Sequence, residues 1–210
     1  NCLGIIKIGD NSSGMGIIVG RCYGTVSNCH VTNSTLSSND SFYTGGISGY
    51  TNGRIINCSV KNTTLEASLG SLGIITGYLH EGNIMNSYSC HNTVNKKSAH
   101  NGGICGYGLN GTLTNCYVYS NNNVKGHIIG TGKHAVITYC YCDQLPFIYS
   151  NEEGCSYGKN YQYTTNFTAT SNNTPIYQLL NQWIESQDTT SDTYTPWKEH
   201  SSLPAVFITQ

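Results

Sequence analysis

Ten cysteines, seven histidines and eleven acids are the groups through which this chain could do chemistry, and their spacing closes most of the options. Zinc needs close ligand pairs with a second pair behind them. The nearest approach is Cys140-x-Cys142, which has no partner pair. The histidines (30, 80, 91, 100, 127, 134 and 200) share no ligand spacing and are expected at surface or turn positions. Polysaccharide hydrolysis or elimination needs clustered carboxylates. Up to residue 142 the only acids are Asp10, Asp40, Glu66 and Glu81, each expected in a turn or loop at a different phase. Glu152 and Glu153 are adjacent, so a strand would point them apart. His-Glu-x-x-His is absent. No catalytic residue, metal or cofactor is expected from these patterns.

The cysteines follow a different logic. Asn28-Cys29, Asn57-Cys58, Asn86-Ser87 and Asn115-Cys116 recur at intervals of 29 residues, with Asn1-Cys2 before them and Tyr139-Cys140 closing a shorter fifth copy. Gly16–Arg21, Gly45–Tyr50, Gly73–Tyr78, Gly102–Tyr107 and Gly126–Gly130 repeat in the same way. Each copy holds three runs of strand character parted by Gly, Asn or Ser: Gly-x-Ile-x-Gly-Tyr, then Gly-x-Ile-x-Asn-Cys-x-Val, then a looser run at Thr35-Leu36, Thr64-Leu65, Thr93-Val94 and Val124. No 3.6-residue apolar period runs through a copy, and a propeller blade needs a longer repeat with four strands. The pattern predicts an all-β chain: a right-handed parallel β-helix with three strands per coil of about 29 residues and a short C-terminal α-helical cap.

Coils stacked ~4.8 Å apart turn equivalent residues into ladders. Ile18, Ile47, Ile75 and Ile104 form one apolar ladder, and Val26, Ile55, Ile84, Leu113 and Ile137 a second. Both are expected to fill the bore. The Asn column can pass amide hydrogen bonds from coil to coil. Ser87 in the Cys column says that this place wants a small, weakly polar filler, so the column cysteines are expected to be reduced and buried. Cys22, Cys90, Cys105, Cys142 and Cys155 lie off the column and leave room for one or two bridges.

One outward feature could bind a ligand. Tyr50, Tyr78 and Tyr107 follow the repeat glycines, with Arg21 one coil earlier, and should stack along one edge. Such a ladder offers flat apolar faces and hydroxyls to sugar rings, and the same stacking also stabilises the sheet edge. Beyond residue 142 the period fails. Tyr161–Phe167 alternates as a last strand would. Thr174-Pro175 reads as an N-cap with proline at the first helical position. Ile176, Leu179, Leu180, Trp183 and Ile184 then make an apolar stripe, expected to cover the open end of the bore. Residues 1–160 are therefore read as the repeat domain, and 161–210 as its closing strand, capping helix and tail.

Composition bounds the class. Only 10% of residues are charged and the net charge is −1, so there is no basic stripe for nucleic acid. No apolar run is long enough to span a membrane. The chain opens in mid-repeat without a leader, which reads as a mature or excised fragment. A monomer is expected.

The runs Gly-Gly-Ile-x-Gly-Tyr and Gly-x-Ile-x-Asn-Cys resemble the GLUG repeat of large bacterial surface proteins, including those of gut Bacteroidetes. The ending, from Leu179-Leu180-Asn181-Gln182-Trp183 through Trp197 to Leu203–Phe207, is similar to the tail that closes such stacks. The resemblance spans roughly 14–142 and 161–210, departing at Arg21 and Ser87. It implies a secreted or cell-surface protein, often described as an adhesin; this chain is read as a non-enzymatic stalk or adhesion module with a glycan or host surface protein as partner. It carries no known catalytic residues. A carbohydrate-active enzyme and a structural spacer are the alternatives.

Overall fold

A computed structural model describes residues 5–7, 13–38, 41–95, 100–157, 162–163, 174–187 and 193–208, with the backbone alone for 5–7 and 162–163. The chain is a parallel β-helix. One coil runs through Tyr43–Gly45, Ser48–Thr51, Arg54–Ile56, Ser59–Lys61 and Thr64–Ala67. Each segment pairs in parallel with its equivalents in the coils below and above, as Val60 does with Val31 and Ser89. The three runs read from the sequence are thus resolved into five short strands, because two of them bend in the middle. In the second run the bend is Asn57, whose left-handed φ of 55° turns the chain between Ile56 and Ser59.

Asparagine tolerates that conformation better than other residues with a Cβ, because its short side chain can bond locally. Here it does more. The Asn57 amide donates to Oδ1 of Asn28 at 3.1 Å, Asn86 to Asn57 at 2.8 Å and Asn115 to Asn86 at 2.8 Å. All four asparagines have positive φ. The next turn residue is Tyr139, which has no amide, and Oδ1 of Asn115 has no hydrogen-bond partner among the described residues. A second left-handed column, Asn33, Asn62, His91 and Ser120, marks the next corner. Beside it runs a polar ladder the repeat reading did not single out, in which the backbone N–H groups of Thr63 and Asn92 donate to the side chains of Asn92 and Asn121.

The bore is apolar, as the ladders require. Ile47, Ile75 and Ile104 of one column, and Ile55, Ile84, Leu113 and Ile137 of the other, are fully buried. Ile18 and Val26, in the earliest coil, are partly buried. The column of Gly45, Gly73 and Gly102 has no room for a side chain. A Cβ on Gly73 would lie 2.0 Å from the Thr76 carbonyl oxygen. The cysteine column belongs to the same core. Cys58, Cys116 and Cys140 donate to the carbonyl two residues back at 3.2 Å, and Ser87 makes the same bond at 2.8 Å. All nine described cysteines are free thiols, the off-column five included, and Cys2 lies outside the described residues.

The coil shortens towards the C-terminus. Tyr107 follows its partner Tyr78 by 29 residues, Thr131 follows Tyr107 by 24, and Ser150 follows Thr131 by 19. What is lost is the looser third run. It forms strands at Thr35–Ser38, Thr64–Ala67 and Thr93–Asn95, then dwindles to one bridge at Asn122, so Val124 lies outside any strand. The last-strand reading of Tyr161–Phe167 is met at Gln162–Tyr163, which pairs with Tyr141 and Cys142, and the rest lies outside the described residues.

The C-terminal segment departs from expectation in position. The helix spans Ile176–Glu185 with Pro175, not Thr174, at its cap, and that cap makes no side-chain hydrogen bond. Of its predicted stripe, Ile176, Leu180 and Trp183 are buried, while Leu179 and Ile184 are only partly buried. It does not plug the bore, however. With Trp197, Leu203, Ala205 and Phe207 it packs on a separate cluster formed by Tyr88, Cys90, Tyr117 and Tyr141, the outward residues of one side wall. The reason is the wall itself, where Tyr88 and Tyr117 stack at 4.8 Å and make an apolar outer face that needs cover. Trp197 lies against both rings, and the Tyr117 hydroxyl donates to the Ala205 carbonyl. The tail also bonds along the Asn ladder. Asn57 donates to the Thr193 carbonyl at 2.8 Å, Asn86 to that of Thr195 at 2.9 Å, and the Trp197 indole N–H donates to Oδ1 of Asn86 at 2.6 Å.

Two outcomes follow. Asn86→Ala should cost about 3–5 kcal/mol in denaturant unfolding, combining left-handed strain with several unpaired buried groups. Asn86→Gly should cost about 1 kcal/mol less, because glycine restores the backbone but not the ladder. Among the nine described thiols, a colorimetric disulfide reagent at pH 8 should react promptly with half-buried Cys29 and Cys155 only. The other seven are buried, and burial pushes the Cys58 and Cys105 thiols up to about 12, so they should react only on unfolding.

Candidate functional site

The wall opposite in character to the tail-covered one carries the candidate ligand-facing residues. Arg21, Tyr50, Tyr78 and Tyr107 occupy successive rungs of one column. Strand alternation turns Tyr78 outward while Leu79, the next residue, is fully buried in the wall. The ring centroids are 5.5 Å apart from Tyr50 to Tyr78 and 5.4 Å from Tyr78 to Tyr107, tilted by 47° and 45°. The Arg21 guanidinium lies 5.4 Å from the Tyr50 centroid. The rings therefore lean on one another, and much of each face is turned to a neighbour rather than to solvent.

Several residues beside this column were not found from the sequence. Tyr43, Ser71 and His100 form a second outward column on adjoining strands. Each stands two positions before a repeat glycine, and that fixed offset is the signal that would have found them. Tyr43 stacks on Tyr78 at 4.7 Å and 15°, leaning into the space that Ser71 leaves. His100 meets Tyr107 edge-on at 5.2 Å. Tyr23 packs on Tyr50, and His80 stacks on Tyr78 and accepts or donates to the Tyr50 hydroxyl at 2.9 Å. Over Ser71 and Gly70 the surface dips into a recess of about 310 Å³ between Tyr43, Tyr78, His100 and Tyr107, with Phe42 on its lip.

The tyrosine hydroxyls of this face stay protonated at neutral pH. Burial pushes the Tyr78 hydroxyl up to about 12, with Tyr43 and Tyr50 adding to it. Tyr107 is raised by burial and then by Glu152, whose carboxylate accepts a hydrogen bond from its hydroxyl at 2.6 Å. Burial lowers His100, the nearby Glu152 opposing it. At neutral pH the face thus presents hydroxyls, the uncharged His100 imidazole and ring edges, between the Arg21 guanidinium and the Glu152 carboxylate.

The other chemistry-bearing residues are dispersed. Glu152 holds Tyr107, while Glu153 pairs with Lys133 at 3.4 Å and His134 at 3.6 Å. Glu66 lies in a strand rather than a turn, where its Oε1 accepts from Asn95, and Glu81 is in a left-handed turn; Asp10 and Asp40 lie outside the described residues. Among the described residues no group of three His, Cys, Asp or Glu could hold a metal ion. Cys142 donates to the Gln144 carbonyl, and burial raises both it and Cys140. His127 is buried, against the surface expectation, and its Nδ1 has no hydrogen-bond partner among the described residues. No described helix is long and apolar enough to cross a membrane. Two larger depressions, of about 520 and 350 Å³, lie where the tail meets His30 and Phe207.

Protein-family models, curated proteins and solved structures gave no match. The likeness to GLUG repeats therefore stands on the motif residues alone.

Glu152→Gln should lower the titration midpoint of Tyr107, because removing a neighbouring negative charge makes the phenolate easier to form. Tyr78, whose shift comes from burial and its tyrosine neighbours, should hardly move. Site-resolved NMR titration of the tyrosines checks both.

Proposed function

We propose that this chain is a non-catalytic binding module of an extracellular β-helix protein, and that it engages a glycan on a cell or host surface through its aromatic edge. The observation that carries the reading is the contrast between two aromatic walls. The Tyr88–Tyr117–Tyr141 wall is covered by the chain's own tail. The Tyr50–Tyr78–Tyr107 wall is half-exposed, carries Tyr23 and Phe42 at 64% and 56% exposure beside it, and has no covering segment among the described residues. Tyrosine suits such a role because it offers apolar area and a hydroxyl at small entropic cost. The repeat motif's likeness to GLUG surface proteins supports the extracellular setting. The separate engagements of Glu152 and Glu153 support a binding rather than a hydrolytic role.

A glycan array probed with the folded chain is the test. Retention of at least one glycan class, no shortening of the retained glycan on prolonged incubation, and a weaker signal for Tyr107→Ala at a stability cost of about 1 kcal/mol are expected. Cleavage of the glycan would make the protein an enzyme. Retention of no glycan would leave a spacer.

A further inference from the structure

The binding reading leaves open where on the edge a ligand sits and what kind of sugar fits. Within the Tyr50–Tyr78–Tyr107 column each ring leans on the next, so the column offers a sugar mainly ring edges and hydroxyls. The C–H face of a pyranose packs best on an aromatic face that is not already occupied. The neighbouring column leaves a recess beside these rings, because it is interrupted by one small residue. Tyr43 and His100 are separated by Ser71, where a third ring would complete the stack. The recess left there is about 310 Å³, walled by rings and floored by Ser71, which is itself only 3% exposed.

We propose that this recess is the ligand seat, and that it takes one terminal, uncharged pyranose rather than a stretch of glycan chain. The inference rests on the glycan-binding reading and makes it specific. Size argues for one ring, since the volume lies at the low end of ligand sites, roughly 300–1,000 Å³. Charge argues for a neutral sugar. No Lys or Arg lines the recess, and Lys125, the nearby cation, lies over the Tyr149 ring at 5.5 Å. The Glu152 carboxylate bonded to Tyr107 would repel a uronic or sialic acid. The hydroxyls of Ser71, Tyr78 and Tyr107 and the His100 imidazole supply the polar groups that orient a sugar among apolar walls.

The test is titration calorimetry of the chain with neutral methyl pyranosides, methyl glucuronide, methyl sialoside and matching linear tetrasaccharides. At least one neutral methyl pyranoside should bind, with the tetrasaccharide no more than about threefold tighter and the acidic sugars at least about tenfold weaker. Ser71→Tyr fills the gap with the residue type of its own column. It should abolish binding while leaving the unfolding midpoint unchanged or raised. Phe42→Ala, at an exposed lip, should weaken binding about threefold to tenfold, and it decides the matter if Ser71→Tyr proves unstable. Binding that survives Ser71→Tyr or is untouched by Phe42→Ala overturns the seat and leaves the edge reading standing. A clear preference for acidic sugars or for the tetrasaccharide overturns the ligand class. Absence of any sugar binding by the unmodified chain removes both this inference and the glycan reading beneath it.

Discussion

The structure depends on a left-handed turn that repeats every coil and is bonded to itself. Asn28, Asn57, Asn86 and Asn115 each place the chain in the αL region, and each amide from Asn57 onward reaches the oxygen of the one before. A parallel sheet with one buried face is sensitive to register, since a one-residue slip exchanges inside for outside. The Asn ladder removes that freedom, because only one register aligns both the amides and the αL turns. Everything else is stacked on it: the aliphatic columns of the bore, the glycine column too close to a carbonyl for a Cβ, and the thiol column with its repeated bond to the carbonyl two residues back.

The same ladder holds the tail. Thr195, Leu180 and Trp197 bond to asparagines that already bond to one another, so the segment that covers the Tyr88 wall is aligned with the coils beneath it. The helix and tail act as a side strap rather than as a plug. The molecule thereby gains two unlike flanks. One buries its aromatic residues under its own chain, and the other leaves a tyrosine edge with a gap at Ser71.

Much of the fold was legible because repetition makes spacing informative. The 29-residue interval carried the bore columns, the amide ladder and the Cys-to-Ser exchange, each of which holds at the named residues. The bends were less legible, since a single αL residue within a strand-like run leaves its apolar alternation almost intact; hence five strands where three runs were read. The strap's position was not legible at all. An amphipathic helix announces that it needs an apolar partner but not which one, and the bore and the Tyr88 wall both qualified. For the edge, the sequence supplied the Tyr column, but not the tilt that turns ring faces inward, nor the recess at Ser71. Those depend on how Tyr43 leans across a missing side chain, which no interval in the sequence records.

The central claim is that one flank is filled by the chain itself and the other is left open for a ligand. Hydrogen–deuterium exchange with and without a bound glycan reads both at once. The account predicts added protection at 42–50, 70–80 and 100–107 on glycan addition, with 86–90, 115–119 and 193–208 already protected and unchanged. Protection gained at 193–208 and the Tyr88 wall, with the Tyr78 edge unchanged, would contradict it.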